Sequence, residues 1–388
     1  MGKTKNRGYV FFGCLLLFAL GFISSGNQLI LMEVTEDFQM DGNTGVGILA
    51  AMSYAGMILS TILFGGLTDR FDKKKVLCAF GLVVAGGTAV GCLSQSAFMV
   101  ALSIFIYGIG FAIVNGTVGA ALMETDPSRS NTFTNLSQMF FSLGSIVSPL
   151  LIAWLMERGM NWRGHFGIGA GLFLVAVACF FFTKRPDVPK EMEAGKDKGN
   201  FRTIACAALF LLALSIGMYV AMESGQVFFT KPYFIQELRD PQNAALSISL
   251  IWIMMIPSRV VASRIHKKKT LLVCGCFALA SVSCLLTALV RVPGLSLVWS
   301  ALFGFAAGPI FPTIMSAAMD AFPRHTGRAS SVLVTAAGIF GVLSNIGMGA
   351  VSDAIGLGNG FFMVAGFAAL GILLFYLAQR KSKLLNDR

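Results

Sequence analysis

Tyr219, Glu223 and Gln226 lie in one long apolar run, at spacings of four and three residues, which places them on one face of any helix formed there. A carboxyl group between a phenol and an amide can accept hydrogen bonds from hydroxyl groups, and it can take up and release a proton. Gly225 beside them permits close helix contact or local unwinding. Ser24, Ser25, Gly26, Asn27 and Gln28 form a second polar cluster, made of neutral groups only. Tyr107, Asn115 and Thr117, then Asn135, Gln138 and Ser142, add further hydroxyls and amides. These are binding groups for a small polar solute rather than parts of a reaction centre. The eight cysteines fall inside apolar runs without any CxxC pair, and His165, His266 and His325 form no ligand cluster. The phosphate-binding pattern GxxxxGK[ST] is missing, so ATP is not the expected energy source. The chain therefore reads as no enzyme, with no cofactor and no metal.

The elements that must carry these residues follow from composition. Of 388 residues, 55% are apolar and 13% charged, against about 25% charged in an ordinary soluble domain. A soluble enzyme, a nucleic-acid binder and a secreted disulfide scaffold are excluded as first readings. Apolar runs near the length of a bilayer-spanning helix, about 20 residues, occupy 8–32, 44–66, 76–93, 97–123, 131–155 and 165–182. After a charged interval come 203–229, 244–262, 270–289, 295–319, 330–351 and 360–377. Apolar residues cover all faces of these runs, as expected for helices surrounded by lipid or by one another. Only a helix satisfies its backbone within a single apolar segment. The expected fold is an all-α membrane protein with twelve transmembrane helices in two pseudo-symmetric six-helix bundles. The first run exceeds a signal-peptide core of 7–15 residues or so and no A-x-A-like site follows it, so it is expected to remain as the first helix.

The basic residues orient the chain. Placing successive intervals on alternate sides collects 24 of the 30 Lys and Arg on one side. The other side holds Arg158, Arg163, Lys231, Arg239 and Arg291, and Arg259 lies within a run. This asymmetry puts both termini in the cytoplasm of a multi-pass protein of the cytoplasmic membrane. It also accounts for the net charge of +11 without any nucleic-acid or other acidic partner. The interval 184–202, with two prolines, two glycines and mixed charge, reads as a linker between an N-terminal bundle, 1–183, and a C-terminal bundle, 203–388. The halves echo each other: RFDKKKVL from Arg70 and RIHKKKTL from Arg264 stand 194 positions apart. A looser echo links ERGMNWR, from Glu157, with DAIGLGN, from Asp353. The same offset sets Glu223 beside Asn27 and Gln28, so the two polar clusters occupy corresponding places. Duplicated halves are a transporter signature.

The segment GGLTDRFDKKK, from Gly65 to Lys75, resembles the G-x-L-x-D-R-x-G-R-K-x motif of the major facilitator superfamily. It departs at Asp72, where the motif has glycine, and at Lys73. Asp72 weakens the argument for a turn there, although Asp tolerates positive φ better than most residues. The resemblance implies a cytoplasmic gate built on Gly65, Asp69 and Arg70, with Asp69 facing a helix N-terminus or a basic partner. The alternative is a positive-inside patch with one chance acid. YVAMESGQ, from Tyr219, is similar to the Tyr-x-Gly-x-Glu segment of fucose-permease-like members, with Ala221 for the glycine. Asn115 and Asn135, with GSIVSP from Gly144, resemble the fourth and fifth helices of the same branch. Pro149 lacks the flanking glycines of the superfamily's antiporter motif.

The expectation is proton-coupled symport of a sugar or sugar derivative, with alternating access as the halves rock about a midplane site. Asn27, Gln28, Tyr107, Asn115, Asn135, Gln138, Tyr219, Glu223, Gln226 and Trp299 are the expected substrate-binding residues. Glu223 is the first candidate for proton exchange; Glu33, near the outer mouth beside Glu36 and Asp37, is the second. Arg259, near Pro257 and Lys267–Lys269, is assigned to the gate, with an anionic substrate as its alternative. Glu223 could instead pair structurally, and Asn27 and Gln28 could bond between helices. Gly304, Gly308, Pro309 and Pro312 mark a helix that must bend. Trp299, Phe228 and Phe229 could stack on a sugar ring, although facing lipid is the commoner use of Phe. The partners are a small-molecule substrate, protons and the lipid bilayer, and a monomer suffices. The competing reading is a proton-coupled exporter of amphiphilic drugs or organic anions. A receptor reusing the architecture would show no flux.

Overall fold

The apolar runs form helices, and polar or glycine-bearing stretches separate them. The computed structural model describes residues 7–64, 67, 71–123, 125, 130–184, 207–262, 264–265, 268–322 and 326–386. Within them the side chains of 123, 130–132, 134–135, 326–328 and 383–386 lie outside the description. The first six helices are α1 (Arg7–Asp37), α2 (Gly42–Phe64), α3 (Lys73–Cys92), α4 (Ala97–Met123), α5 (Ser130–Met156) and α6 (Arg163–Phe181). Then follow α7 (Ala207–Gln236), α8 (Ala244–Ala262), α9 (Lys269–Leu289), α10 (Pro293–Ala307), α11 (Ile310–Ala321), α12 (Thr326–Ile355) and α13 (Leu357–Asn386). Among the described residues these make twelve spans long and apolar enough to cross a membrane, with α10 and α11 sharing one. The protein is an all-helical, multi-pass membrane protein.

The described residues divide into two compact units, Met1–Phe38 with Met52–Lys196, and Gln39–Ala51 with Asp197–Arg388. In the first, α1 packs on α5 and α6, and α3 on α4 and α6. In the second, α7 packs on α12 and α13, and α9 on α13 and α10. The same pairs of positions meet in each, so the echo read in the sequence extends to packing. It extends to the backbone too. Gln39 and Arg239, which follow the first helix of each half, hold left-handed φ values of 51° and 53°. Gly159 and Gly356, in the two loosely matched turns, have φ of 94° and 93°.

Helices in an apolar medium gain little from hiding apolar surface, so they associate by close packing on small residues. Gly21 and Gly144 show this for α1 and α5: a Cβ on Gly21 would lie 2.1 Å from the Phe141 carbonyl oxygen, and one on Gly144 2.0 Å from that of Phe18. In the second unit the first turns of α2 are held by α12. The Asp353 carboxylate accepts from the backbone N–H groups of Asn43 at 2.9 Å and Thr44 at 2.7 Å. It thereby satisfies donors that a helix start leaves open. The side-chain amides of Asn43 and Gln236 meet at 3.3–3.4 Å.

Asp72 has a φ of −58°, so it does not replace glycine in a left-handed turn. It is instead the N-cap of α3, accepting from Lys74 N at 2.8 Å and Lys75 N at 3.2 Å, which suits a short carboxylate at a helix start. Lys74 Nζ in turn donates to the carbonyls of Phe181 at 2.8 Å and Thr183 at 2.6 Å, at the end of α6. In the matching basic cluster Lys269 pairs with Asp320 at 2.5 Å.

Gly144→Ala is expected to cost about 1–3 kcal/mol through overpacking. Gly171→Ala, where a Cβ meets nothing within 4 Å, serves as the control. Thermal unfolding in detergent should separate the two, and equal melting temperatures would contradict this account of the α1–α5 contact.

Candidate functional site

In the second unit, the site residues gather where α7 and α8 approach the break between α10 and α11. That break is written in the residues. The Gly308 carbonyl would normally accept from the N–H of residue 312, but this is Pro312, which has none. Pro309 likewise removes a donor and starts a new helix. The Arg259 Nε donates to the Gly308 carbonyl at 3.1 Å, supplying what Pro312 lacks. α8 comes close here too, for a Cβ on Gly308 would sit 2.3 Å from Ser258 Oγ and one on Gly304 2.2 Å from the Ile251 carbonyl oxygen.

One turn of α7 faces this break. The Tyr219 hydroxyl donates to Glu223 Oε1 at 2.6 Å, a short bond of the kind made to charged acceptors. The Tyr219 ring lies 6.0 Å from that of Phe311, in the first turn of α11. Arg259 is within electrostatic reach of Glu223. A carboxyl, a phenol and a guanidinium therefore converge at one helix break, an arrangement able to exchange hydrogen-bond partners and protons.

Gln226 has different partners despite its spacing from Glu223. It is 1% exposed, its Nε2 donates to Thr230 Oγ1 at 3.3 Å, and its Oε1 accepts from the Cys284 thiol of α9 at 3.5 Å. Phe229 is buried in the packing of the unit and Phe228 nearly so. The Trp299 carbonyl accepts from Ser283 at 2.6 Å, while its buried indole Nε1 has no hydrogen-bond partner among the described residues.

In the first unit, expected site residues make polar contacts between helices. Gln138 Nε2 of α5 donates to Asn115 Oδ1 of α4 at 3.4 Å. On α1, Asn27 Oδ1 lies 3.2 Å from His165 Nε2 of α6. Asn27, Gln28 and Tyr107 are buried, and the Tyr107 hydroxyl donates to the Leu20 carbonyl at 3.3 Å, tying α4 to α1. Glu33 is half-buried further along α1. The side chain of Asn135, and Gly65, Asp69 and Arg70 altogether, lie outside the described residues.

Metal-ligand spacing carries no signal for His165, which meets an amide of a distant helix. Gly26 was the available signal: a Cβ there would lie 2.0 Å from His165 Cε1, so a glycine within a polar cluster marked the approach of another group.

The model of the Major Facilitator Superfamily matches residues 11–345 and 267–388 of the chain. The chain belongs to that superfamily. Among curated relatives, a glucose/galactose transporter of Brucella abortus is 28% identical over 93% of this chain and 92% of its own. Multidrug resistance protein D of Escherichia coli is 24% identical over 93% and 91%. Among solved structures, that of the E. coli fucose:proton symporter aligns with a TM-score of 0.68 at 18% identity, over 96% of this chain and 99% of that one. The superfamily comprises membrane transporters, so this protein is a transporter of small molecules and not an enzyme.

Arg259→Met should destabilise the second unit by about 1.5–3 kcal/mol, the worth of a hydrogen bond to a charged group, because the Gly308 carbonyl loses its donor. Arg259→Lys keeps the charge but loses the planar donor set and should fall between. Chemical or thermal unfolding of the purified protein measures both, and an unchanged Arg259→Met would contradict this role.

Proposed function

We propose that this superfamily transporter is a proton-coupled symporter of a sugar or sugar derivative, set in the cytoplasmic membrane with both termini in the cytoplasm. The observation that carries the reading is the Tyr219–Glu223 bond of 2.6 Å within reach of Arg259. A carboxyl so placed has two competing states: bonded to Tyr219 as the anion, or protonated. A solute hydroxyl that takes the place of Tyr219 couples its own binding to that proton. The neutral amides Asn27, Asn115, Asn135 and Gln138 suit hydroxyl recognition, since each offers donors and an acceptor at once.

Supporting the reading are the 28% identity to a glucose/galactose transporter and the 24-to-5 division of basic residues for the orientation. Gly65, Asp69 and Arg70 are assigned to the gate by their motif. Arg259 is assigned as the partner of Glu223 and of the helix break. Rearrangement at that break gives the substrate alternating exposure to the two sides of the membrane. The second reading, a proton-coupled exporter of amphiphilic compounds, is favoured by the similarity to multidrug resistance protein D.

Reconstituted protein should accumulate labelled glucose or galactose in vesicles when the outside is made acidic. Glu223→Gln should reduce that proton-driven accumulation about tenfold or more, as expected when the exchanging group is removed, while sugar counterflow persists. Intact proton-driven uptake by Glu223→Gln would remove Glu223 from the coupling. Efflux of lipophilic cations without any sugar flux would favour the exporter.

A further inference from the structure

The contact between Asn27 and His165 has a directional consequence for α1. An asparagine amide carries an acceptor at Oδ1 and two donors at Nδ2, and an unheld amide can turn either way. Here Oδ1 faces the imidazole at 3.2 Å, the arrangement in which the Nε2–H tautomer of His165 donates to the amide oxygen. The ring itself is held on several sides. It is 0% exposed, it stacks on Phe22 with centroids 6.1 Å apart, and it packs on Phe166 at 5.4 Å. Gly26 makes room for it, since a Cβ there would meet both His165 and Ser148 Oγ, the latter at 2.7 Å. The Ile23 backbone also lies near the ring, but Nδ1 has no partner in bonding geometry among the described residues. The acceptor in bonding geometry is Asn27.

A ring so enclosed does not reach a solute. We infer that His165 is a specificity-determining positioning residue: by donating Nε2–H to Asn27 Oδ1, it turns the Nδ2 donors of Asn27 away from the ring and toward the solute. At this point α1 then offers donors only, and the solute atom recognised there is an acceptor, a ring oxygen or a hydroxyl lone pair. The inference rests on the reading of Asn27 as a sugar-binding residue. A histidine that merely filled space would be replaceable by another flat ring.

The test uses the full-length protein in two arms. In proteoliposomes with labelled glucose, His165→Phe keeps the ring but removes the donor, and His165→Gln returns an amide N–H near the place of Nε2. His165→Phe should raise KM about tenfold, the equivalent of one hydrogen bond of about 1.4 kcal/mol, with kcat within about twofold. It should also blunt discrimination between glucose and its deoxy analogues, and His165→Gln should restore both. Asn27→Ala should show the same KM rise, to which His165→Phe adds nothing. An unchanged KM in His165→Phe, or additive losses in the double variant, overturns the inference.

The second arm needs no substrate and no folded His165→Phe. With 15N-labelled histidine, three imidazoles contribute signals, and the one lost in His165→Gln belongs to His165. It should be the Nε2–H tautomer in the wild type and become mixed in Asn27→Leu. An Nδ1–H tautomer in the wild type, or an unchanged spectrum in Asn27→Leu, overturns the inference. A wild type that moves no sugar refutes the sugar reading alone, and the tautomer then decides the role of His165.

Discussion

A polar group buried in an apolar helical bundle must find a partner, because leaving it unpaired costs several kcal/mol of lost hydration. Much of this transporter's internal organisation answers that constraint. The Gly308 carbonyl, deprived of its donor by Pro312, draws Arg259 from α8. Glu223 is held by Tyr219 one turn away. Asn27 on α1 meets His165 on α6, and Gln226 finds Thr230 and Cys284. The bonds of Arg259, His165 and Cys284 join helices that apolar contact alone would leave free to slide. A transporter needs some of these bonds to be exchangeable, and the ones near Glu223 involve groups that can trade a protein partner for a solute hydroxyl or a proton.

Close helix contact is the second requirement, and it sets where large side chains are forbidden. Gly21 and Gly144 let α1 and α5 approach until backbone meets backbone. Gly26 does the same for one imidazole, and Gly308 for Ser258. The second unit shows a related economy at its edge, where Asp353 satisfies the opening N–H groups of α2. The two halves also share left-handed turns, at Gln39 and Arg239 and at Gly159 and Gly356. A duplicated chain keeps such geometry because each copy faces the same packing problem.

The fold was largely legible before any coordinates. Twelve apolar runs, the bend at Gly308–Pro309–Pro312 and the repeat of the basic clusters all rest on local properties: hydropathy, missing amide hydrogens and spacing. Tyr219 with Glu223 was legible for the same reason, since four residues along one helix bring side chains together. Gln226 was not, although it too shares the face by spacing. Its amide turns to a neighbouring helix, and helical periodicity says nothing about which neighbour is there. Asp72 shows the other kind of failure. A motif position suggested a left-handed turn, whereas an aspartate at a helix start gains more by capping two backbone donors.

Sequence by itself determined the class of protein, the number of its spans and the pairing of Tyr219 with Glu223 along one helix. Those follow from transfer of residues into an apolar medium and from repeats within single segments. Only the tertiary structure decided that His165 belongs with Asn27, that Arg259 serves the broken helix, and that α12 caps α2 through Asp353. Their partners lie 138, 49 and 310 positions away along the chain. Such pairings are chosen by which helices pack together, and hydrogen bonds select among them only after the helices have met.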